Sequence, residues 1–203
     1  LELLRRSARK LDDAKASEAL SKRADVVRDE IGRLSKLLDD FMGLARPKHL
    51  AMAPFDVGAL VREVAATQRP IAEEASIELE VAVEGEPLTG YGDAGRLRQA
   101  LVDLIANALD AVREQGAGHV RLCAGPDGPE RVELRVEDDG PGLAKPGDEV
   151  LRPFVTTKKA GTGLGLPIVQ KIAELHGGSL DLGPREGGGT RAVLTLRRPR
   201  AGD

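Results

Sequence analysis

Between Leu20 and Ala45, apolar or small residues recur at alternating steps of four and three: Leu20, Ala24, Val27, Ile31, Leu34, Leu38, Phe41 and Ala45. That period holds them on one seam of a helix, the pattern of a coiled coil or helical bundle. A lone helix of this length is marginal in water, so the seam needs something to pack on. The rest of its own domain is one solution. A second copy of the chain is the other, and it is the one we expect. Pro47 and Pro54 close the pattern and read as a linker. The chain therefore divides into a helical unit, residues 1–47, and a second domain, residues 48–203.

The second part is long enough to bury a core of its own. Lys and Arg total 30 and Asp and Glu total 33, a net charge of −3. That balance gives no basic surplus for phosphate backbones, and aromatic residues at 2% disfavour a base-stacking platform. Nucleic acid is therefore not an expected partner. Apolar runs are only a few residues long, so no membrane segment is expected in this chain. The amphipathic start Leu1-Glu2-Leu3-Leu4-Arg5-Arg6 does not resemble a signal peptide. It also lacks an initiator Met, which points to a piece of a longer protein. One cysteine, Cys123, excludes an internal disulfide, and three scattered histidines, His49, His119 and His176, argue against a structural zinc site.

From Asp56 onward the periodicity is mixed. Asp56 reads as the N-cap of a helix to about Ala75, disturbed at Pro70. Ile77, Leu79, Val81 and Val83 alternate with Glu78 and Glu80, as in a half-buried strand. Asp93 caps a helix to about Glu114. His119–Ala124 and Arg131–Glu137 read as strands joined at Gly125-Pro126-Asp127-Gly128. An irregular glycine-rich stretch runs to about residue 162. A helix then leads to Leu175 and a glycine cap at His176-Gly177-Gly178, before strands at 179–182 and 190–197. The expected class is α+β, with a mixed, mostly antiparallel sheet.

Gly90-Tyr91-Gly92-Asp93-Ala94-Gly95 fits the spacing of a dinucleotide-binding loop, but no apolar strand precedes it and the following strand does not end in an acid. There is no P-loop, zinc-protease or serine-hydrolase motif.

Three other segments carry chemistry. On the helix 93–114, Leu97, Leu101, Leu104, Ala108 and Val112 form the apolar face. Gln99, Asp103, Asn107 and Asp110 fall within about 80° of arc. A solvated stripe normally carries Lys, Glu and Arg. Short oxygen donors suit Mg²⁺, which takes few protein ligands beside substrate phosphates. In Arg131–Asp138, Val132, Leu134 and Val136 share the parity of Asp138, which should therefore be buried. A buried carboxylate needs a donor, and the N6 amine of adenine is one. Gly140 and Gly142 permit a tight turn and close ligand approach. Finally, Gly161, Gly163 and Gly165 would expose N–H groups just before a helix, where the dipole favours anions, with Lys158 available for a terminal phosphate.

Together these segments resemble the ATP-binding domain of sensor histidine kinases, in the superfamily shared with gyrase-type and Hsp90-type ATPases. Gln99–Ala111 resembles the family's N box, and Asp138-Asp-Gly140-Pro-Gly142 its G1 box. Pro153-Phe154-Val-Thr156-Thr157-Lys158 resembles the F box, and Gly161-Thr162-Gly163-Leu164-Gly165-Leu166 the G2 box. Gly189-Thr190 matches a later element. Glu30–Phe41 and Ala45-Arg46-Pro47 resemble the second helix of the family's dimerisation domain, of which residues 1–47 would be a remnant.

The resemblance implies a two-layer α/β sandwich binding ATP or ADP with Mg²⁺. Asn107 would ligate the metal, with Asp103 as a second candidate, and Asp110 and Ala111 would lie beside the nucleotide. Asp138 would read adenine, with Thr190 nearby, and residues 143–160 would form a lid. Asp103, Asn107 and Lys158 would be the catalytic set for transfer of the γ-phosphoryl group to a histidine. It also implies a homodimer through the N-terminal helix, a response-regulator partner and a cytoplasmic location.

Two departures stand out. Position 103, usually Asn in these kinases, is Asp, as in gyrase-like hydrolases that activate water there. The acceptor motif of the first dimerisation helix is absent, so the acceptor histidine is expected on a helix outside this sequence or on another chain. A gyrase-like hydrolase with Asp103 as base and a non-catalytic nucleotide-binding module are the alternatives. A serine kinase of the anti-sigma type fits less well, because those proteins resemble the ATP domain alone.

Overall fold

The computed structural model describes residues 14–45, 50–156 and 162–200. Two compact units separate between Ala45 and Arg46. The first contains α1 (Ala14–Ala45). Along it Val27, Ile31, Leu34 and Leu38 are 50–62% exposed, whereas Ala24 is buried. The continuous helix matches the heptad pattern, and these four residues of its seam face water. No helix among the described residues is long and apolar enough to cross a membrane.

In the second unit, β1 (Ala53–Asp56) leads into α2 (Val57–Glu74), followed by β2 (Ile77–Val83), β3 (Thr89–Gly92) and α3 (Ala94–Arg113). Strands β4 (Gly118–Asp127) and β5 (Arg131–Asp138) come next, then the short α4 (Gly147–Val150), α5 (Gly165–Leu175), β6 (Ser179–Pro184) and β7 (Thr190–Arg197). The main sheet has the order β2-β4-β5-β7-β6. Among the described residues β2 and β4 run parallel, and the β4–β5, β5–β7 and β7–β6 pairs are antiparallel. This is the expected mixed sheet.

One face of that sheet packs under the helices. Leu79, Val120, Leu122, Val132, Leu134 and Val136 are buried beneath Leu97, Leu101, Leu104, Ile105 and Val112 of α3, and Leu194 and Leu196 of β7 are buried on the same sheet, toward α5, with α2 flanking. The apolar face assigned to α3 from its spacing is buried throughout. Asp56 and Asp93 cap their helices by accepting from Ala59 N and Arg96 N.

Three local expectations differ. The β4–β5 turn is not at 125–128: the ladder continues through Gly125↔Glu133, Pro126↔Val132 and Asp127↔Arg131, and the chain reverses after Gly128, at φ +70°. Pro126 is tolerated there for a geometric reason. Ala124 O accepts Glu84 N on the β2 side, so two residues on, Pro126 also turns its missing N–H toward β2, beyond the last paired residue, Val83. The second difference is β1 pairing with β3, where linker and loop were expected. The glycines of the discarded dinucleotide pattern belong here. A Cβ on Gly90 would lie 2.8 Å from the Phe55 ring, and one on Gly92 2.6 Å from the His176 ring. They are glycines of close packing. The third is α4, a single turn inside the irregular stretch.

Candidate functional site

The C-terminal end of β5 brings Asp138 under the sheet surface, 5% exposed. Its parity with Val132, Leu134 and Val136 places it there, as the alternation predicts. Asp138 Oδ1 accepts from Gly140 N at 2.9 Å and from Thr190 N at 3.2 Å. Burial pushes its carboxyl above the ordinary aspartate range, and those N–H groups oppose the shift only in part. Its neighbour Asp139 is spent on structure: Oδ1 accepts from His119 N at 2.9 Å and fastens the turn to the start of β4.

The turn after Asp138 presses on α3. A Cβ at Gly140 would stand 3.0 Å from Ala111 Cβ and 2.9 Å from Asp138 Oδ1. A side chain there would have to displace Ala111 or the Asp138 carboxylate. Gly189, at φ +93°, would meet the Asp138 carbonyl oxygen at 1.9 Å. Asp138, Gly140, Ala111, Gly189 and Thr190 therefore converge on one point, although they lie up to about 80 residues apart in sequence. Gly142, at φ +82°, continues this wall into a cleft of about 590 Å³ between residues 141–147 and the β6–β7 hairpin.

Along α3, Asp103, Asn107 and Asp110 are half-buried. Asp110 Oδ1 lies 3.7 Å from the Arg113 guanidinium on the same helix. The Asn107 amide nitrogen is 3.9 Å from where a Cβ on Gly165 would stand, so the polar stripe faces the first residue of α5. Before that helix, Thr162 Oγ1 accepts from Leu164 N at 3.2 Å and Gly163 takes φ +67°. Leu164, at the cap position, is buried and supplies no side-chain acceptor. The helix end is thus uncapped, with Gly165 and half-buried Leu166 on its first turn. Such an end suits an anion.

Phe154 is brought back to this place by its N–H, which donates to Gly163 O at 3.0 Å. It holds a left-handed φ of +68° and leaves its ring 68% exposed. Nothing in the sequence marks that conformation. Thr156 is exposed beside it. Thr157, Lys158 and Gly161 lie outside the described residues. Among the described residues no cluster of three or more His, Cys, Asp or Glu is arranged to hold a metal ion.

Comparison with known proteins agrees with this geometry. Residues 92–200 match the family described as histidine kinase-, DNA gyrase B-, and HSP90-like ATPase. The chain is 32% identical over 174 residues to the sensor histidine kinase ZraS of Escherichia coli, covering 85% of this chain and 37% of that one. It is 34% identical to the C4-dicarboxylate transport sensor protein DctS of Rhodobacter capsulatus, covering 84% and 26%. The chain thus spans between about a quarter and two fifths of these curated relatives. Among solved structures, full-length ShkA in complex with AMPPNP superposes with a TM-score of 0.81 at 30% identity, over 98% of this chain and 42% of that one. The catalytic domain of the histidine kinase ThkA gives 0.66 at 30% identity, over 72% and 95%.

Proposed function

Because the chain belongs to the histidine kinase-, DNA gyrase B- and HSP90-like ATPase family, we propose that it is the catalytic, ATP-binding portion of a sensor histidine kinase. Its reaction is transfer of the ATP γ-phosphoryl group to a histidine, for relay to a response regulator. The observation that carries the reading is Asp138: a carboxylate buried at the end of a strand, held by two backbone N–H groups and walled by glycines. A purine amine presented into that wall supplies the hydrogen-bond donor that burial denies it.

In this reading the base sits between Ala111 and Gly142, with Thr190 beside it. The phosphates run along α3 toward the uncapped start of α5 at residues 162–166. Thr156, Thr157, Lys158 and Gly161 would close the phosphate end. Asn107, and Asp103 one turn before it, supply the oxygen ligands that fit Mg²⁺, a cation that shares its coordination with phosphate oxygens and water. When bound, Mg²⁺ neutralises charge on the phosphates. The chain's own part is to hold base and phosphates in line, which is most of what phosphoryl transfer needs. The imidazole nitrogen of the acceptor forms the new N–P bond, the γ-phosphorus breaks its bond to the bridging oxygen, and ADP leaves.

Residues 1–47 we read as part of a dimerising helical domain, on the strength of the exposed seam of α1. The acceptor histidine belongs to a helix of the same assembly, and the location is cytoplasmic. The kinase reading is preferred to the gyrase-like hydrolase because ZraS is a sensor histidine kinase and ThkA a histidine kinase.

Calorimetric titration with Mg-ADP, alongside Asp138→Asn, tests the reading. Micromolar binding that falls by about two orders of magnitude in the variant is expected. No binding to the folded wild-type chain would overturn it.

A further inference from the structure

His176 stands outside the site, yet it is 1% exposed and both ring nitrogens are engaged. Nδ1 lies 2.7 Å from Ile172 O within its own helix, and Nε2 accepts the Asp93 N–H at 2.9 Å. Two contacts on opposite sides of the imidazole fix the orientation of the ring. The packing leaves no slack: a Cβ on Gly92 would come within 2.6 Å of the ring, and one on Gly178 within 1.8 Å of Thr195 O. Asp93 is itself a junction. Its Oδ1 caps α3 at Arg96 N, and its Oδ2 accepts from Ala51 N at 3.1 Å, on the segment that precedes β1.

Geometry gives this junction leverage. Helices α3 and α5 pack on each other. The start of α3 meets the end of α5 at Asp93–His176, whereas Asn107 on α3 meets Gly165 at the start of α5. The two helices are therefore antiparallel, hydrogen-bonded at one end and close together at the other. Fourteen residues of α3 separate them, roughly 20 Å. If the His176 end loosens, the helices pivot, and the gap between Asn107 and Gly165 changes.

We propose that His176 is a positioning residue for the nucleotide site: through Asp93 it fixes α5 against α3, and through the same aspartate the Ala51 segment is tied to the width of the Asn107–Gly165 gap. The nucleotide part of this rests on the function proposed above, but the coupling within the domain does not.

The test compares His176→Phe, His176→Gln and Ala51→Pro with the wild-type chain. Phe fills the volume without either hydrogen bond, Gln restores one acceptor, and Pro deletes the Ala51 donor without touching the ring. In nucleotide-free protein, amide NMR should show the Gly165 N–H and the Asn107 side-chain NH₂ shifted in His176→Phe and Ala51→Pro, and partly restored in His176→Gln. With Mg-ADP, affinity should fall about tenfold in His176→Phe and about threefold in Ala51→Pro. Should His176→Phe not fold, Ala51→Pro decides alone. Unchanged Gly165 and Asn107 signals in a folded variant would overturn the inference, as would shifted signals with unchanged ADP affinity. If wild-type protein binds no ADP but the signals move, the proposed function fails and the coupling stands.

Discussion

Asp138 shows how a single residue can be set against its own fold. Its carboxyl is raised by burial, so ionisation costs the nucleotide-free domain stability. The sign follows from the raised value. Below the unfolded aspartate pKa of about 3.9 the group is neutral in both states and costs nothing; the penalty grows as pH climbs through the folded value and is complete above it. Asp138→Asn keeps an oxygen for Gly140 N and Thr190 N. It should therefore raise the melting temperature near neutral pH by about 2–4 °C, flatten this pH slope, and still lose ADP. A variant that melts lower than wild type would contradict this account. Asp103 has a different test. On the kinase reading, Asp103→Asn keeps an oxygen donor and changes ADP affinity by no more than about threefold, and transfer to an added histidine-bearing helix persists. Abolished steady ATP turnover with transfer retained would instead mark Asp103 as the base for water. The burial of Asp138 was legible from parity alone. The bond between His176 and Asp93 was not, because residues 83 positions apart meet only through the packing of two helices.

At the level of elements, periodicity carried most of the fold. Strand β7 and the helices α2, α3 and α5 lie within a residue or two of where alternation and capping put them. The failures were local and physical. Strands β1 and β3 have four residues each and pair with one another, so neither has length enough to show a pattern. Gly125-Pro126-Asp127 has the chemistry of a turn, but the strand outruns it because Pro126 needs no donor on its open side. The seam of α1 carries the element-scale prediction. With Ile31 and Leu34 exposed, the paired change Ile31→Lys, Leu34→Lys removes little within one chain and should convert a dimer to a monomer in sedimentation equilibrium. A wild-type chain that is already monomeric at about 100 µM would refute the dimer reading.

Over the whole molecule, the site belongs to no single segment. Asp138 ends β5, Thr190 begins β7, Ala111 and Asn107 lie on α3, and residues 162–166 open α5; only the sheet order brings them together. The sequence motifs could name these residues, but their convergence required knowing that β7 inserts between β5 and β6. That insertion yields a sharp prediction. A chain ending before Thr190 loses β7 and with it the strand to which β6 is paired in the main sheet. It should show no cooperative thermal transition, whereas a chain ending after Arg200 should melt as the full chain does.

The same insertion bears on how the domain is made. Residues leave the ribosome in order, at roughly 5–20 per second, and β2, β4 and β5 emerge well before the strand that must lie against β5. Until Arg197 has cleared the exit tunnel, the nascent domain carries an unpaired β5 edge and an unfinished core. Its most vulnerable window for misassociation is therefore the last part of synthesis, and a pause there would expose that edge for longer.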